Sequence, residues 1–288
     1  RPARATGGTA IDAYDDVAAG AAVDVHGLLD VYGLYNLDEP ASKRNRLRAV
    51  DVYDEPARLG YLRLTLAHRP APIGFRVDAG LGDTAKYFER QDPADAKHPD
   101  IARATSYVEQ GFVTAMIPTE RAVEVDLGRY STPMGLEDNE AWSNWSYSRG
   151  LLYTWAEPTQ HTGLRVSCAL TDAIAASLFR VNGWNATVVN GNAMRTGAAA
   201  VSWRATEELT LALVDMFGPE HAPTDDDAPL TFRNLLDAFA TYAPARRLSF
   251  AVSVDYGVDR ANGGVSWRGV AAFARVVETS WLATSLRG

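Results

Sequence analysis

Long apolar runs are missing from this chain of 288 residues. Stretches such as Thr196 to Trp203 and Gly150 to Ala156 are under half of the ~18–20 residues that a membrane-crossing helix needs. That excludes a helical membrane protein but leaves membrane-crossing strands open. Cysteine is nearly missing: Cys168 stands alone. One thiol excludes an intrachain disulfide framework and a multi-cysteine metal site. Positive charge is in deficit, with 28 Lys and Arg against 36 Asp and Glu, a formal net charge of −8. A negative surface repels phosphate, so no nucleic-acid partner is expected. Hydrolase elbows, phosphate-binding loops and dinucleotide fingerprints are also missing. The five histidines, His26, His68, His98, His161 and His221, have no metal-ligand spacing. No enzyme, metal or cofactor is therefore expected.

What is present is apolar and aromatic content, 47% and 10% of the chain, which excludes disorder. It is spread one residue in two. In Val23 to Leu37, odd positions such as Val23, Val25, Leu29 and Val31 alternate with Asp24, His26, Asp30 and Tyr32. Ile73 to Leu81, Val123 to Leu127, Leu164 to Leu170 and Leu248 to Val258 repeat the pattern, which is the period of a strand. Less regular strand candidates are Leu62–Leu66, Tyr107–Ile117, Leu151–Glu157, Ala173–Val181, Gly197–Ala205, Leu209–Met216, Leu235–Tyr242, Trp267–Val276 and Leu282–Arg287. At ~20 residues per strand and connection, the length accommodates roughly 14 strands.

The connections fall into two classes. Short ones lie at 69–72, 118–120, 157–159, 170–172 and 244–246, and long ones at 43–56, 86–100, 131–147, 185–192, 219–229 and 259–264. Largely alternating short and long connections predict an all-β, antiparallel up-and-down barrel with one tight rim and one looped rim. The polar face carries both charge signs: Asp24, Asp30, Arg63, Arg76, Asp78, Asp126, Arg165 and Asp255. The other face is aliphatic, with Tyr35, Tyr61, Trp155, Tyr242 and Tyr256 near strand ends. A lipid-facing exterior around a hydrated interior gives this pattern, and so does a soluble sandwich with one wet face.

Five segments bear on that choice: Gly128–Glu137 (GRYSTPMGLE), Tyr147–Leu151 (YSRGL), His161–Arg165 (HTGLR), Val181–Trp184 (VNGW) and Trp267–Ala271 (WRGVA). In this order they resemble the second type of outer-membrane β-barrel porin of Gram-negative bacteria, from about Val23 onward. The resemblance implies an integral outer-membrane barrel with a channel role. Such barrels end on a strand with a terminal aromatic, whereas this sequence ends Ser285-Leu286-Arg287-Gly288. The expectation is an N-terminal extension at 1–22 and a barrel at 23–288 that lacks its closing strands. About 14 strands would be visible and 16 would complete it, because bacterial barrels have even numbers.

The eight charged residues above are then the pore-lining candidates. Glu137, Trp142 and Trp145, in the long 131–147 connection, are the constriction-loop candidates. Glu137 and Asp138 are also considered as a glycosidase pair, and Asp225-Asp226-Asp227 as a divalent-cation loop; a solvated loop is the favoured reading of the three aspartates. The expected function is passive diffusion of small hydrophilic solutes or ions, with outer-membrane lipid outside. A plugged structural barrel binding an envelope protein is the alternative, and a soluble carbohydrate-binding β-protein a weaker one. The sequence leaves open whether the chain is a homo-oligomer.

Overall fold

The computed structural model describes residues 14, 16–17, 22–92, 99–188, 195–220, 231–260 and 264–288. They form one sheet of 13 strands in chain order, each antiparallel to the next. The strands are β1 (Asp24–Tyr32), β2 (Arg58–His68), β3 (Ile73–Leu81), β4 (Val108–Ile117), β5 (Val123–Ser131), β6 (Gln160–Ala169) and β7 (Ile174–Val181). They continue as β8 (Thr196–Arg204), β9 (Leu209–Glu220), β10 (Thr231–Ala245), β11 (Leu248–Asp259), β12 (Val265–Val277) and β13 (Ala283–Arg287). Two short helices, α1 (Asp83–Gln91) and α2 (Pro99–Ser106), fill the β3–β4 connection. No helix among the described residues is long and apolar enough to cross a membrane.

Thirteen of the 14 sequence-predicted strands are present. The exception is Leu151–Glu157, where Leu152–Ala156 forms a wide π-type helical turn. Its two apolar and aromatic stretches mimic alternation, but the segment belongs to the β5–β6 connection. Accordingly Glu157-Pro158-Thr159 leads into β6 and does not join two strands. Connections otherwise alternate between short and long, except that β11–β12 is only five residues, as short as the β4–β5 turn. Short turns join β2–β3, β4–β5, β6–β7, β8–β9, β10–β11 and β12–β13, and the remaining connections take the other rim.

Period-two burial follows the sequence pattern. On β1, Val25, Leu29 and Val31 are exposed while Asp24, His26 and Asp30 face inward. On β2, Leu62, Leu64 and Leu66 are exposed while Arg63, Thr65 and Ala67 are buried. Tyr61 is a correction: it keeps phase with Arg63 and points inward, 2% exposed, not into the outer aromatic belt. Trp155 is another, since it lies on the helical turn rather than a strand. On the outer face, Phe217, Phe232 and Tyr256 mark the long-loop end, and Trp203, Tyr242 and Phe250 the short-turn end. Phe232 and Tyr242 are ten residues apart on β10. At ~3.3 Å per residue and ~40° tilt, that places them about 25 Å apart along the membrane normal, the height of an outer-membrane apolar band.

One sector has apolar side chains on both faces. Phe179, Ala198, Ala200, Ala212, Val214, Met216, Leu235 and Phe239 form the inner cluster on β7–β10. Loop residues Met134 and Leu136 pack on it. This explains why Leu209–Met216 reads as irregular: a strand covered on both faces has no need to alternate. Among the described residues, the sheet edges β1 and β13 do not pair with each other.

Candidate functional site

The site is the concave face together with the β5–β6 loop, residues 132–159. That loop touches strands around the whole sheet. Tyr147 donates to Asp30 on β1 at 3.0 Å, and Asn139 to Glu109 on β4 at 2.7 Å. Gly135 N–H donates to Asp237 on β10 at 2.7 Å. Trp145 meets Phe273 of β12 edge-on, and Arg287 of β13 pairs with Glu137 at 2.6 Å. A loop that reaches both edge strands requires the sheet to curl around it.

Local chemistry drives the loop inward. Gly135 has φ +82°, and an added Cβ there would lie 1.9 Å from the Glu157 carboxylate. Only glycine fits that turn without strain. Met134 is buried, worth about 1.5–3 kcal/mol, and half-buried Leu136 packs beside it. The space left between Trp145, Leu136 and the β10–β12 wall is about 20 Å³, room for roughly one water.

All eight pore-lining candidates face this interior. Asp78 and Asp126 are fully buried, and Arg63, Arg76, Arg165 and Asp255 nearly so. Asp24 holds His26 at 2.9 Å, and Asp30 holds Tyr147. Arg165 pairs with Asp126 at 2.9 Å, with its guanidinium 4.5 Å from the Tyr130 ring centre. Asp78 accepts from Thr65 at 2.6 Å, Gln110 at 2.7 Å and Arg76 at 2.8 Å. Arg63 reaches Asp78 at 3.7 Å and, on its other side, the Glu140 carboxyl of the loop. Asp255 stands in register with Asp237, beside Glu157.

Of the constriction-loop candidates, Glu137 and Trp145 bind the wall. Trp142 is 56% exposed and touches only the Glu140 side chain of its own loop among the described polar contacts. Burial raises the Glu137 carboxyl above the usual range. Glu140 is pushed up to about 8 by burial and by the neighbouring Glu109 charge, against the pull of Arg63. Glu157 is raised further by burial and by Asp255 and Asp237.

Sequence reasoning missed Glu140, Glu109, Asn139, Glu157 and Asp237. Asp237 was legible in principle, because it keeps inward phase on β10. Glu140 and Glu157 lie in a loop with no period, so only the fold places them. The Asp138 backbone groups bond Asn144 and Arg149, while the neighbouring Glu137 carboxyl pairs with Arg287. Cys168 lies on the outer face and is free. Among the described histidines, His161 bonds Thr132 and His68 packs on Phe75. His98, His221 and Asp225–Asp227 fall outside the described residues. Among the described residues no group of His, Cys, Asp and Glu side chains is arranged to hold a metal ion.

One solved structure shares this architecture, and another is more distantly similar. An anion-selective porin from Comamonas acidovorans superposes with a TM-score of 0.54 at 12% identity, covering 92% of this chain and 77% of that one. A loop-L8 deletion mutant of OmpT, an outer membrane protein of Vibrio cholerae, gives a TM-score of 0.44 at 9% identity, covering 93% of each chain. No curated protein matches by sequence. Residues 22–288 match the family described as "Putative beta-barrel porin-2, OmpL-like", and the chain belongs to that family of integral outer-membrane β-barrel porins.

Proposed function

We propose that this porin passes small hydrophilic solutes or ions by passive diffusion, does no chemistry on them, and uses loop 132–159 as its constriction. The observation that carries the reading is the loop itself. It crosses the concave face from Asp30 to Arg287 and places Glu140 against Arg63. A passage beside it is lined by fixed charges of both signs, so size excludes and charge biases. Arg63, Arg76 and Arg165 stand on β2–β6, while Asp237, Asp255 and Glu157 gather at β10–β11. Arginines paired with Asp78 and Asp126 on one wall and a carboxyl cluster on the other give an uneven transverse field and modest selectivity.

The test is reconstitution in planar bilayers. Stepwise conductance with inserted, folded protein is expected. Insertion without conductance overturns the channel reading. It would favour the second one, a plugged barrel that docks an envelope protein. That reading has its own observation: Tyr14, Asp16 and Val17 also sit on the concave face, bonded to Arg69, Arg76 and Thr114.

A further inference from the structure

We propose that Arg76, with His26 beside it, is a binding site for small carboxylate solutes, and that the chain's own Asp16 occupies it as a tethered stand-in. The inference rests on the channel reading for its physiological sense, but the site is defined by geometry alone. Arg76 Nη1 and Nη2 approach Asp16 Oδ1 and Oδ2 at 2.6 and 3.0 Å. Two parallel N–H···O bonds to one planar carboxylate are the fork geometry that arginine provides and lysine cannot. His26 Nε2 lies 3.2 Å from the same Oδ2.

The site has anchors of its own besides Asp16. Arg76 Nε is held by Asp78 at 2.8 Å, and Asp78 is fixed in turn by Thr65 and Gln110. Asp24 orients His26 from the other ring nitrogen at 2.9 Å. A guanidinium so anchored loses little freedom when a carboxylate docks. The carboxylate it now holds belongs to a segment outside the sheet, whose described residues are bonded as follows. Arg69 binds the Tyr14 and Val17 carbonyls at 2.7 and 2.8 Å, and Tyr14 meets Thr114 at 2.8 Å. Burial opposes the Asp16 charge, yet Arg76 and His26 outweigh it and hold the carboxyl down at about 2.

Position makes the site useful to a channel. Arg76 lies three residues into β3 from the short-turn rim, which is the periplasmic rim in outer-membrane barrels. From it a column of alternating charge, Asp16, Arg76, Asp78, Arg63, climbs to Glu140 of the constriction loop. A solute that clears the loop meets Arg76 next.

Calorimetric titration of the detergent-solubilised full chain with succinate tests the proposal without needing conductance. Asp16, being part of the same chain, competes at an effective concentration on the order of millimolar, so the wild type should bind succinate weakly. Asp16→Asn removes this one competing charge and should lower the succinate Kd at least about tenfold. Adding Arg76→Gln to that variant should abolish binding, with heat-modifiable gel migration confirming a folded barrel. Equal succinate Kd for wild type and Asp16→Asn overturns the proposal. So does binding that survives Arg76→Gln, and so does inorganic phosphate binding as tightly as succinate. Single-channel recording adds the link to transport. Succinate should interrupt the Asp16→Asn current at lower concentrations than the wild-type current. A silent channel that still binds succinate through Arg76 counts against the channel reading and leaves the site standing.

Discussion

Glu140 shows how one side chain can set the behaviour of the constriction. It is nearly buried, it reaches Arg63, and burial beside Glu109 lifts its carboxyl to about 8. In an undocked, hydrated loop the same carboxyl would titrate in the ordinary range. The docked loop therefore binds more protons than the free one. Its docking is fully supported below the ordinary carboxylate range and weakens as pH rises toward about 8. Glu137 and Glu157, also raised by burial, push in the same direction. Single-channel recordings should show more frequent loop openings at about pH 9 than at about pH 6. Glu140→Gln, which cannot ionise, should flatten most of that rise. Openings that increase toward acid, or an unchanged slope in the variant, would refute this assignment.

At the scale of the strand, alternation fixes which side chains meet lipid. Val254 is the outward residue at the middle of β11, between buried Ser253 and Asp255. A charge there enters the thickest part of the hydrocarbon. Val254→Arg should cost about 2–4 kcal/mol of folding stability in vesicles, read from urea unfolding. The same arginine at Tyr256, in the belt near the rim, should cost about 0–1 kcal/mol. Equal costs would mean that this face does not lie in a bilayer. The same alternation made thirteen strands legible in the sequence, since each residue's face follows from its parity. It failed at Leu151–Glu157, where Tyr153 and Trp155 imitate a strand but pack as a helical turn. It blurred at β9, where Met134 and Leu136 demand a second apolar face. Loop chemistry was the least legible part. Glu140, Glu157 and Asp16 meet their partners through contacts of long sequence separation, which no local period encodes.

For the whole molecule, function depends on how the two inserts divide the interior. The loop packs closely on β10–β12, leaving about 20 Å³ there. It meets the β1–β4 side through polar contacts: Tyr147 on Asp30, Glu140 on Arg63, Asn139 on Glu109. Polar contacts admit water between them, whereas the packed Leu136–Trp145 seam on the far wall leaves room for roughly one water, so permeating ions should follow the β1–β4 wall. Arginine carries its charge at every working pH, so its removal there gives a clean electrostatic readout. Arg63→Gln deletes the cation that bridges Glu140 of the loop and Asp78 of the wall. The reversal potential under a potassium chloride gradient should move toward cation preference. The shift should shrink as salt rises, because the Debye length falls from about 10 Å at 0.1 M to about 3 Å at 1 M. The matched change at Arg204, near the exposed short-turn end of β8, should leave selectivity unmoved. If Arg63→Gln folds, conducts and keeps the wild-type reversal potential, the ions run elsewhere, and the loop closes the wall that carries the arginines.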